Sequence, residues 1–298
     1  MFDHHGVEPV KTILYLSHGE GPHNSEAVYS LLTAFQFAPP PQAGFQYVVY
    51  TDEPDRFKGL GLKFVHLNQD VIRQWRGDSN YLHRIKTCAV IDALQRFPGS
   101  VIQVDADTYF RKSPALLFER IKPGASVMHV PEGRLAESRQ HVLQKIIRDC
   151  TYVDRSGASL VFKVDEMVMW NSGVIGVHAD DLPLLEETRW LTDQMMRHEA
   201  AYSIAHVEQL ATSYFLSRNR LSSCSDVIFH YWRKDIRVQF DCLLTTILAA
   251  SADSPLQERG ARAYTQRPRH NFLNRLKIIT RVVLRRLGFR VPGLRQSF

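Results

Sequence analysis

The sequence predicts an α/β protein in which a mostly parallel sheet is flanked by helices. Short apolar runs of strand length alternate with longer segments that carry apolar residues at helical spacing, as in strands joined by crossover helices. The composition, with 44% hydrophobic and 23% charged residues over 298 positions, is that of a globular protein with a sizeable core. No window approaches the run of ~20 apolar residues that a membrane-spanning helix needs.

The predicted elements follow one another in a regular order. Runs rich in Val, Ile and aromatic residues predict strands, and Pro, Gly, Asn and Asp mark their ends. Segments with apolar residues three and four positions apart predict the helices between them. The strands are predicted at 12–17, 45–52, 62–68, 100–107, 126–130, 171–178 and 226–232, and the helices at 25–37, 81–97, 113–121, 136–150, 180–198 and 206–217.

The charge is distributed unevenly along the chain. The net formal charge is +6, but residues 259–298 hold eleven Lys and Arg and no Asp or Glu, so residues 1–258 carry 26 basic and 31 acidic residues, a net charge of −5. The sequence therefore predicts a mildly acidic domain at 1–258 and a basic C-terminal tail at 259–298. In the tail, 271–287 has the pattern of an amphipathic helix that either lies on an anionic membrane surface or packs on the domain. Its apolar face consists of Phe272, Leu276, Ile279, Val283 and Leu287.

Cysteine spacing and the N-terminal sequence predict a cytoplasmic location. The four cysteines show no CxxC spacing, and the first residues lack a basic segment followed by a long apolar one. The basic tail adds the expectation of peripheral attachment to the inner membrane face. Nucleic acid is not an expected partner, because the domain is acidic and its basic residues do not line a groove.

Two carboxylates follow the strand predicted to begin at residue 100. Asp105 and Asp107 are two positions apart, so both side chains can point to the same side of an extended chain. Ligands of open α/β sheets bind beyond the carboxyl ends of the strands, and adjacent carboxylates repel unless a cation joins them. Because Mg²⁺ combines protein carboxylates with substrate phosphates, the pair indicates a metal–diphosphate site. A polar turn is the alternative.

Seven segments, taken in order, resemble the GT-A glycosyltransferases, which transfer a sugar from a nucleotide sugar. The resemblance covers about residues 10–240 and implies a GT-A type of fold. It implies that Asp105 and Asp107 bind Mn²⁺ or Mg²⁺ on the diphosphate of a donor such as a UDP-sugar, and that Ala106 between them belongs to the same cofactor-binding segment. The acceptor would be a glycan, a lipid or a small molecule. The segments are TILYLSHG, YVVYTD, YLHRIKTCAVIDAL, VIQVDAD, MWNSGVIGV, HVEQLATSYFL and FHYW.

The resemblance also implies a third metal ligand and residues that bind the donor. His230 would return to the cation, since imidazole suits Mn²⁺ better than Mg²⁺. Thr51 and Asp52 would lie near the nucleobase or the ribose. Arg84 and Lys86 would contact phosphate or sugar oxygens, although a solvated helix face is the alternative for both.

Four further residues are expected around the reacting groups. Gly173 would permit a close approach of the ligand to the backbone, and Asn171 and Ser172 would face the donor sugar. Glu208 would lie near the acceptor, which makes Asn171 and Glu208 the candidate catalytic residues. The alternatives are an ordinary Asn-Ser-Gly turn and a helix N-terminal charge favoured by the macrodipole. The polar segment 131–167 is expected to form a lid or an acceptor-binding insert.

Two other functions compete with glycosyl transfer. A phosphohydrolase with an aspartyl nucleophile also carries two aspartates after a strand, but such enzymes have Thr or Val where this sequence has Tyr109. A non-enzymatic binder of an anionic surface or of nucleic acid is the second alternative, suggested by the sequence pI of about 9.2. Nucleotide-sugar turnover that requires a metal separates the transferase from both.

Overall fold

The computed structural model has the expected α/β architecture, with a mostly parallel seven-stranded sheet flanked by helices. Residues up to Thr265 form one compact unit, and 266–298 form a second, of which 266 and 267 are described. The fold class predicted from alternating strand and helix patterns is therefore confirmed at this level. The described residues are 10–41, 44–137, 141–204, 206–232, 237, 244–249 and 254–267.

Strands form where short runs contain β-branched and aromatic residues. Seven of those in the described ranges build the central sheet, and four form two small two-stranded sheets. They are β1 Val10–Leu16, β2 Gln46–Thr51, β3 Lys63–His66, β4 Gly99–Val104, β5 Thr108–Phe110, β6 Ala125–Met128, β7 Pro131–Arg134, β8 Val168–Trp170, β9 Val174–His178, β10 Arg220–Ser223 and β11 Ile228–His230.

Most helices follow the apolar periodicity of the sequence, but the pattern did not predict Gln69–Arg76 or Leu256–Thr265. The helix Gln69–Arg76 begins at Asn68, whose side chain accepts a hydrogen bond from the amide of Val71. The α-helices with defined bounds are α1 His23–Phe35, α2 Gln69–Arg76, α3 Arg84–Arg96, α4 Ala115–Phe118, α5 His141–Asp149, α6 Leu182–Met195, α7 Val207–Leu216 and α8 Leu256–Thr265.

The central sheet has the strand order β10–β6–β9–β4–β1–β2–β3. Six strands run in one direction, and β9 runs antiparallel to its neighbours β4 and β6. The chain builds β2 and β3 on one side of β1, and then crosses to the other side to form β4. The carboxyl ends of β1 and β4 therefore flank the point at which the strand order reverses.

Alternate residues of the central strands pack on opposite faces of the sheet. Ile13 and Tyr15 pack in a cluster with α1, and Leu14 packs in a second cluster with α3. Helix α8 joins the first cluster, and a Cβ on its Gly260 would lie 3.1 Å from the carbonyl oxygen of Leu32 in α1. Glycine thus allows the two helices to approach closely.

Only part of the C-terminal prediction can be compared with the structure. Residues 259–265, which the charge pattern assigned to the tail, belong to α8, whereas the amphipathic segment expected at 271–287 lies outside the described residues. Within the described ranges, no helix combines the length and the apolar character needed to cross a membrane.

The topology brings distant segments to the carboxyl edge of β4. Because β9 is antiparallel to β4, with Val174 opposite Val104, the residues that precede β9 lie beside those that follow β4. Strand β11 pairs antiparallel with β5, and this register sets His230 opposite Thr108. One edge therefore receives the two aspartates, the Asn-Ser-Gly segment and the histidine.

Candidate metal centre

Asp105, Asp107 and His230 form a cluster in which one ligand atom from each residue lies within 4.8 Å of the others. The two aspartates are partly exposed, and the histidine is buried. Two carboxylates and an imidazole are donors that divalent cations such as Mn²⁺ and Mg²⁺ accept. The three residues predicted as metal ligands are therefore brought together in a group that could hold a metal ion.

The carboxylate of Asp105 is oriented on both of its oxygens. The side-chain amide of Gln103 donates to Oδ1 at 2.8 Å, and the ammonium of Lys86 donates to Oδ2 at 2.9 Å. Lys86 also donates to the carbonyl oxygen of Ser172 at 3.1 Å, and the amide of Asp105 donates to the carbonyl of Gly173 at 2.8 Å. These contacts join the end of β4 to α3 and to the segment before β9.

Asp107 lies between an imidazole and a guanidinium. His230 Nε2 is 3.1 Å from Oδ1, and Arg237 Nη1 is 3.6 Å from Oδ2. Burial raises the pKa of Asp107, but the hydrogen bond and charge of His230 and the charge of Arg237 lower it further, so the pKa lies below its ordinary value. Arg237 also pairs with the fully buried Glu26 of α1, with Nε 2.7 Å from Oε1. Asp107 is therefore ionised at neutral pH.

Asn171 fixes the tautomer of His230. Its side-chain NH₂ donates to Glu132 at 2.9 Å, and its Oδ1 accepts from the amide of Gly173 at 3.1 Å, so Oδ1 faces His230 Nδ1 at 2.9 Å as an acceptor. Nδ1 must therefore carry a proton. Nε2 points at Asp107 Oδ1, another acceptor, so between them lies either a second proton or a cation. This is the arrangement of a metal-binding histidine whose other nitrogen is held by an oxygen partner.

Glycine at position 173 makes room for the imidazole. A Cβ built on Gly173 would lie 2.1 Å from His230 Nδ1 and 3.0 Å from Asn171 Oδ1, distances at which the ring would have to move. From the sequence, Gly173 was expected to let a ligand approach the backbone closely. In the structure its missing side chain admits His230.

Lys86 and Glu208 form a buried layer beneath the carboxylates. Glu208 is 2% exposed, accepts hydrogen bonds from Ser172 Oγ at 3.2 Å and Thr212 Oγ1 at 3.1 Å, and has a pKa raised by burial. Burial lowers the pKa of Lys86, but Asp105 and Glu208 raise it further, so the ammonium stays charged. Glu208 therefore supports the position of Ser172, and its charge helps to keep Lys86 protonated.

Other predicted residues lie in different surroundings. The guanidinium of Arg84 donates to Asp193 of α6, with Nη2 2.9 Å from Oδ2, and to the carbonyl of Trp75 at 2.8 Å, so its contacts are not with the cluster. Asp52 accepts from the amide of Gly19 at 2.9 Å and thereby holds the loop after β1. Thr51 is buried and accepts from the amide of Glu53 at 3.0 Å. The carbonyl of Ala106 accepts from Thr108 at 2.8 Å, which closes the turn between the aspartates.

Glu132 and Arg237 border the cluster and were missed by the sequence analysis. Glu132 is exposed on β7 and accepts from Asn171 at 2.9 Å and from Gln209 at 2.9 Å. It is thus one hydrogen bond away from the amide that holds His230. The only sequence signal was an acidic residue within the polar insert, and nothing in the local pattern linked it to Asn171.

Comparisons with known proteins do not assign a function to this site. No protein-family model matches the chain, and no curated protein is significantly similar to it. The arrangement of residues around Asp105, Asp107 and His230 is therefore the basis for assigning a function.

Proposed function

We propose that this protein is a metal-dependent glycosyltransferase that transfers a sugar from a nucleotide-diphosphate sugar to an acceptor hydroxyl. The observation that carries the proposal is the cluster of Asp105, Asp107 and His230 at the carboxyl end of β4. It lies where the strand order reverses between β1 and β4, and this is the position at which open α/β sheets bind nucleotides. A GT-A type of fold, a UDP-sugar donor and Mn²⁺ as the cation belong to the same proposal.

The donor diphosphate would lie over the cluster, with the nucleoside towards the ends of β1 and β2. The two carboxylates and the imidazole would hold a divalent cation, whose charge would stabilise the departing nucleoside diphosphate. Asn171 contacts His230 Nδ1 at 2.9 Å and so leaves the Nε2 lone pair available to such a cation. Lys86 holds Asp105 in place from the buried side, so the metal-binding side chains are already positioned before the nucleotide sugar binds.

Transfer breaks the bond between the anomeric carbon and the diphosphate oxygen and forms a bond from that carbon to the acceptor oxygen. The acceptor hydroxyl passes its proton to a carboxylate on the acceptor side, and the nucleoside diphosphate leaves with the bonding electrons. We assign the acceptor side to Glu132, because it is exposed and is fixed by Asn171 and Gln209. Its carboxylate would accept a hydrogen bond from the acceptor hydroxyl and orient it towards the anomeric carbon.

The proposal is tested by metal-dependent binding and turnover of nucleotide sugars. Thermal unfolding is measured with a panel of nucleotide sugars, with and without Mn²⁺, and the release of nucleoside diphosphate is followed with an acceptor library. A ligand at 100 times its Kd should add about 2.7 kcal/mol of stability. Asp105→Asn and Asp107→Asn should abolish metal-dependent binding and transfer, whereas Asp70→Asn, on the exposed end of α2, should retain both.

Two outcomes would overturn this function. One is the absence of any stabilisation by nucleotide sugars in the presence of Mn²⁺. The other is phosphate release from simple phosphate esters without any nucleotide, which would favour the aspartyl phosphohydrolase instead.

A further inference from the structure

A groove flanked by two exposed aromatic rings opens on the surface next to the N-terminal end of α3. Its cavity has a volume of about 480 Å³, and Gln74, Asp78, Trp190, Arg197 and Tyr202 are among the residues that line it. A second cavity of about 380 Å³ adjoins it and shares Tyr202 with it. Both volumes fall within the range of ligand sites in proteins. We call the two together the Trp190–Tyr202 groove.

Two exposed aromatic rings flank the groove. Trp190 is 38% exposed and Tyr202 is 64% exposed. The indole nitrogen of Trp190 donates to the carbonyl of Val153 at 3.0 Å, which fixes the plane of the ring while its face stays accessible. Fixed, half-exposed aromatic faces next to polar groups can pack against the C–H faces of a ligand at little cost in side-chain entropy.

The charges of the groove are balanced. Arg84 and Asp193, which line its floor, satisfy each other in a bidentate pair. Asp78 and Arg197 add one charge of each sign, and neither side chain makes a hydrogen bond to a residue that the structure describes. Equal numbers of acidic and basic groups do not favour an anionic ligand such as a phosphate, and they leave donors and acceptors free for a neutral, hydroxyl-rich ligand.

One residue of the adjoining cavity, His83, lies close enough to Lys86 and Asp105 to feel their charges. The adjoining cavity is lined by His83, which precedes Lys86 by three positions at the start of α3, and Lys86 bonds to Asp105. Residues three apart on a helix are neighbours on its surface. Burial and the charge of Lys86 lower the pKa of His83 to about 4, so this ring is neutral at pH 7 and the cavity keeps its uncharged lining.

We propose that the Trp190–Tyr202 groove binds a neutral oligosaccharide, whose end reaches the metal centre as the acceptor. The inference rests on the proposed function and assigns its acceptor to the class of uncharged glycans. Trp190 and Tyr202 pack against successive sugar rings, and Asp78, Gln74 and Arg197 exchange hydrogen bonds with their hydroxyls. The lipid and small-molecule acceptors expected from the sequence are thereby set aside.

The test is direct binding of the intact protein to an array of neutral and sulfated oligosaccharides, without nucleotide. Calorimetry on the best neutral oligosaccharide should then show at least tenfold weaker binding for Trp190→Ala and for Tyr202→Ala. Trp190→Phe should bind within threefold of wild type, because the ring is kept, but should lose the ligand-induced change in tryptophan fluorescence. Phe64→Ala is the matched control, since Phe64 is a 41% exposed ring on β3 outside the groove.

Asp105→Asn separates this inference from the proposed function. It should bind the oligosaccharide as wild type does while losing metal-dependent donor binding. The groove assignment is overturned if no neutral oligosaccharide binds, if sulfated oligosaccharides bind in preference, or if both aromatic variants bind like Phe64→Ala. A protein that binds glycans but consumes no nucleotide sugar would contradict only the proposed transferase activity.

Discussion

The Oδ1 atom of Asn171 lies 2.9 Å from Nδ1 of His230 and, through its amide's bond to Glu132, can act only as an acceptor towards it. Asn171 was expected to face the donor sugar, and in the structure it is also the residue that decides which imidazole nitrogen carries the proton. This makes Asn171 a positioning residue, with an effect on the cation that can be separated from any contact with substrate.

Asn171→Leu should weaken Mn²⁺ binding by 10- to 100-fold, since losing the oxygen partner of a ligating histidine typically has an effect of about that size. The loss arises because His230 becomes free to rotate and to place its proton on Nε2. Titration calorimetry with Mn²⁺ measures it. Asn219→Leu, which also removes an amide hydrogen bond, in this case to Ser126, is the matched control. Equal metal affinity in both variants would remove Asn171 from this role.

Gly173→Ala should displace His230 and weaken Mn²⁺ binding, because the new Cβ would lie 2.1 Å from Nδ1. The double variant with His230→Ala makes the test specific. Once the imidazole is gone, the alanine has space, and the second substitution should cause no further loss of affinity. Additive losses in the double-mutant cycle would show that the glycine acts on something other than the histidine.

His129→Phe should make the protein less sensitive to acid. Burial and the charge of His230 lower the pKa of His129 to about 3, by more than a hydrogen bond to the backbone of Ile228 raises it. Between pH 6.5 and pH 3 the unfolded chain binds a proton there and the folded protein does not, so stability falls as the pH falls. At pH 5 this difference in protonation lowers the free energy of unfolding by about 2 kcal/mol.

Urea unfolding at pH 7.5 and pH 5.0 measures that difference. Phenylalanine preserves the edge-to-face contacts that His129 makes with His230 and Trp232, so the two proteins should be similar in stability at pH 7.5. His66→Phe, at an exposed histidine, is the control for the general effect of replacing a histidine by phenylalanine. If wild type and His129→Phe lose the same stability on acidification, the buried histidine does not contribute to it.

Glu132→Gln should lower the rate of transfer by about 100-fold or more, as expected for loss of a group that orients a reacting hydroxyl. The affinity for Mn²⁺ should change little, because the glutamine carbonyl can still accept the hydrogen bond from Asn171, and Gly173 still donates to Asn171 Oδ1. Glu208→Gln is the comparison, since it alters a buried carboxylate on the other side of Ser172. Steady-state kinetics with both variants would assign the acceptor side to Glu208 if its substitution caused the larger fall in kcat.

The sequence was sufficient for the features that depend on local pattern. The apolar run into Asp105 predicted a strand that ends in two carboxylates at the ligand-binding edge of the sheet. His230 was expected as the third ligand only from the resemblance to the GT-A glycosyltransferases. The direction of β9 and the pairing of β5 with β11 were not predicted, because strands of three to five residues carry little pattern of their own.

The differences between expected and observed contacts also have physical causes. Arg84 and Lys86 are two positions apart on one helix, hence about 200° apart around its axis, so they could not both face the same site. Lys86 faces Asp105, and Arg84 faces Asp193 of α6. Glu132 lies on β7, whose four residues are all exposed, so no alternation of apolar and polar side chains indicated a strand there.

The pairing of β11 with β5 has a mechanical consequence for the chain. Asp107 and His230 are 123 positions apart, so a cation held between them would act as a reversible crosslink that closes a long loop. Closing this loop would lower the conformational entropy of the unfolded chain. The segment around Tyr231, whose amide donates to the Asp107 carbonyl at 2.9 Å, would then open less often as the ion concentration rises. Amide hydrogen exchange in β5 and β11 should therefore slow as Mn²⁺ is added, even when no sugar nucleotide is present.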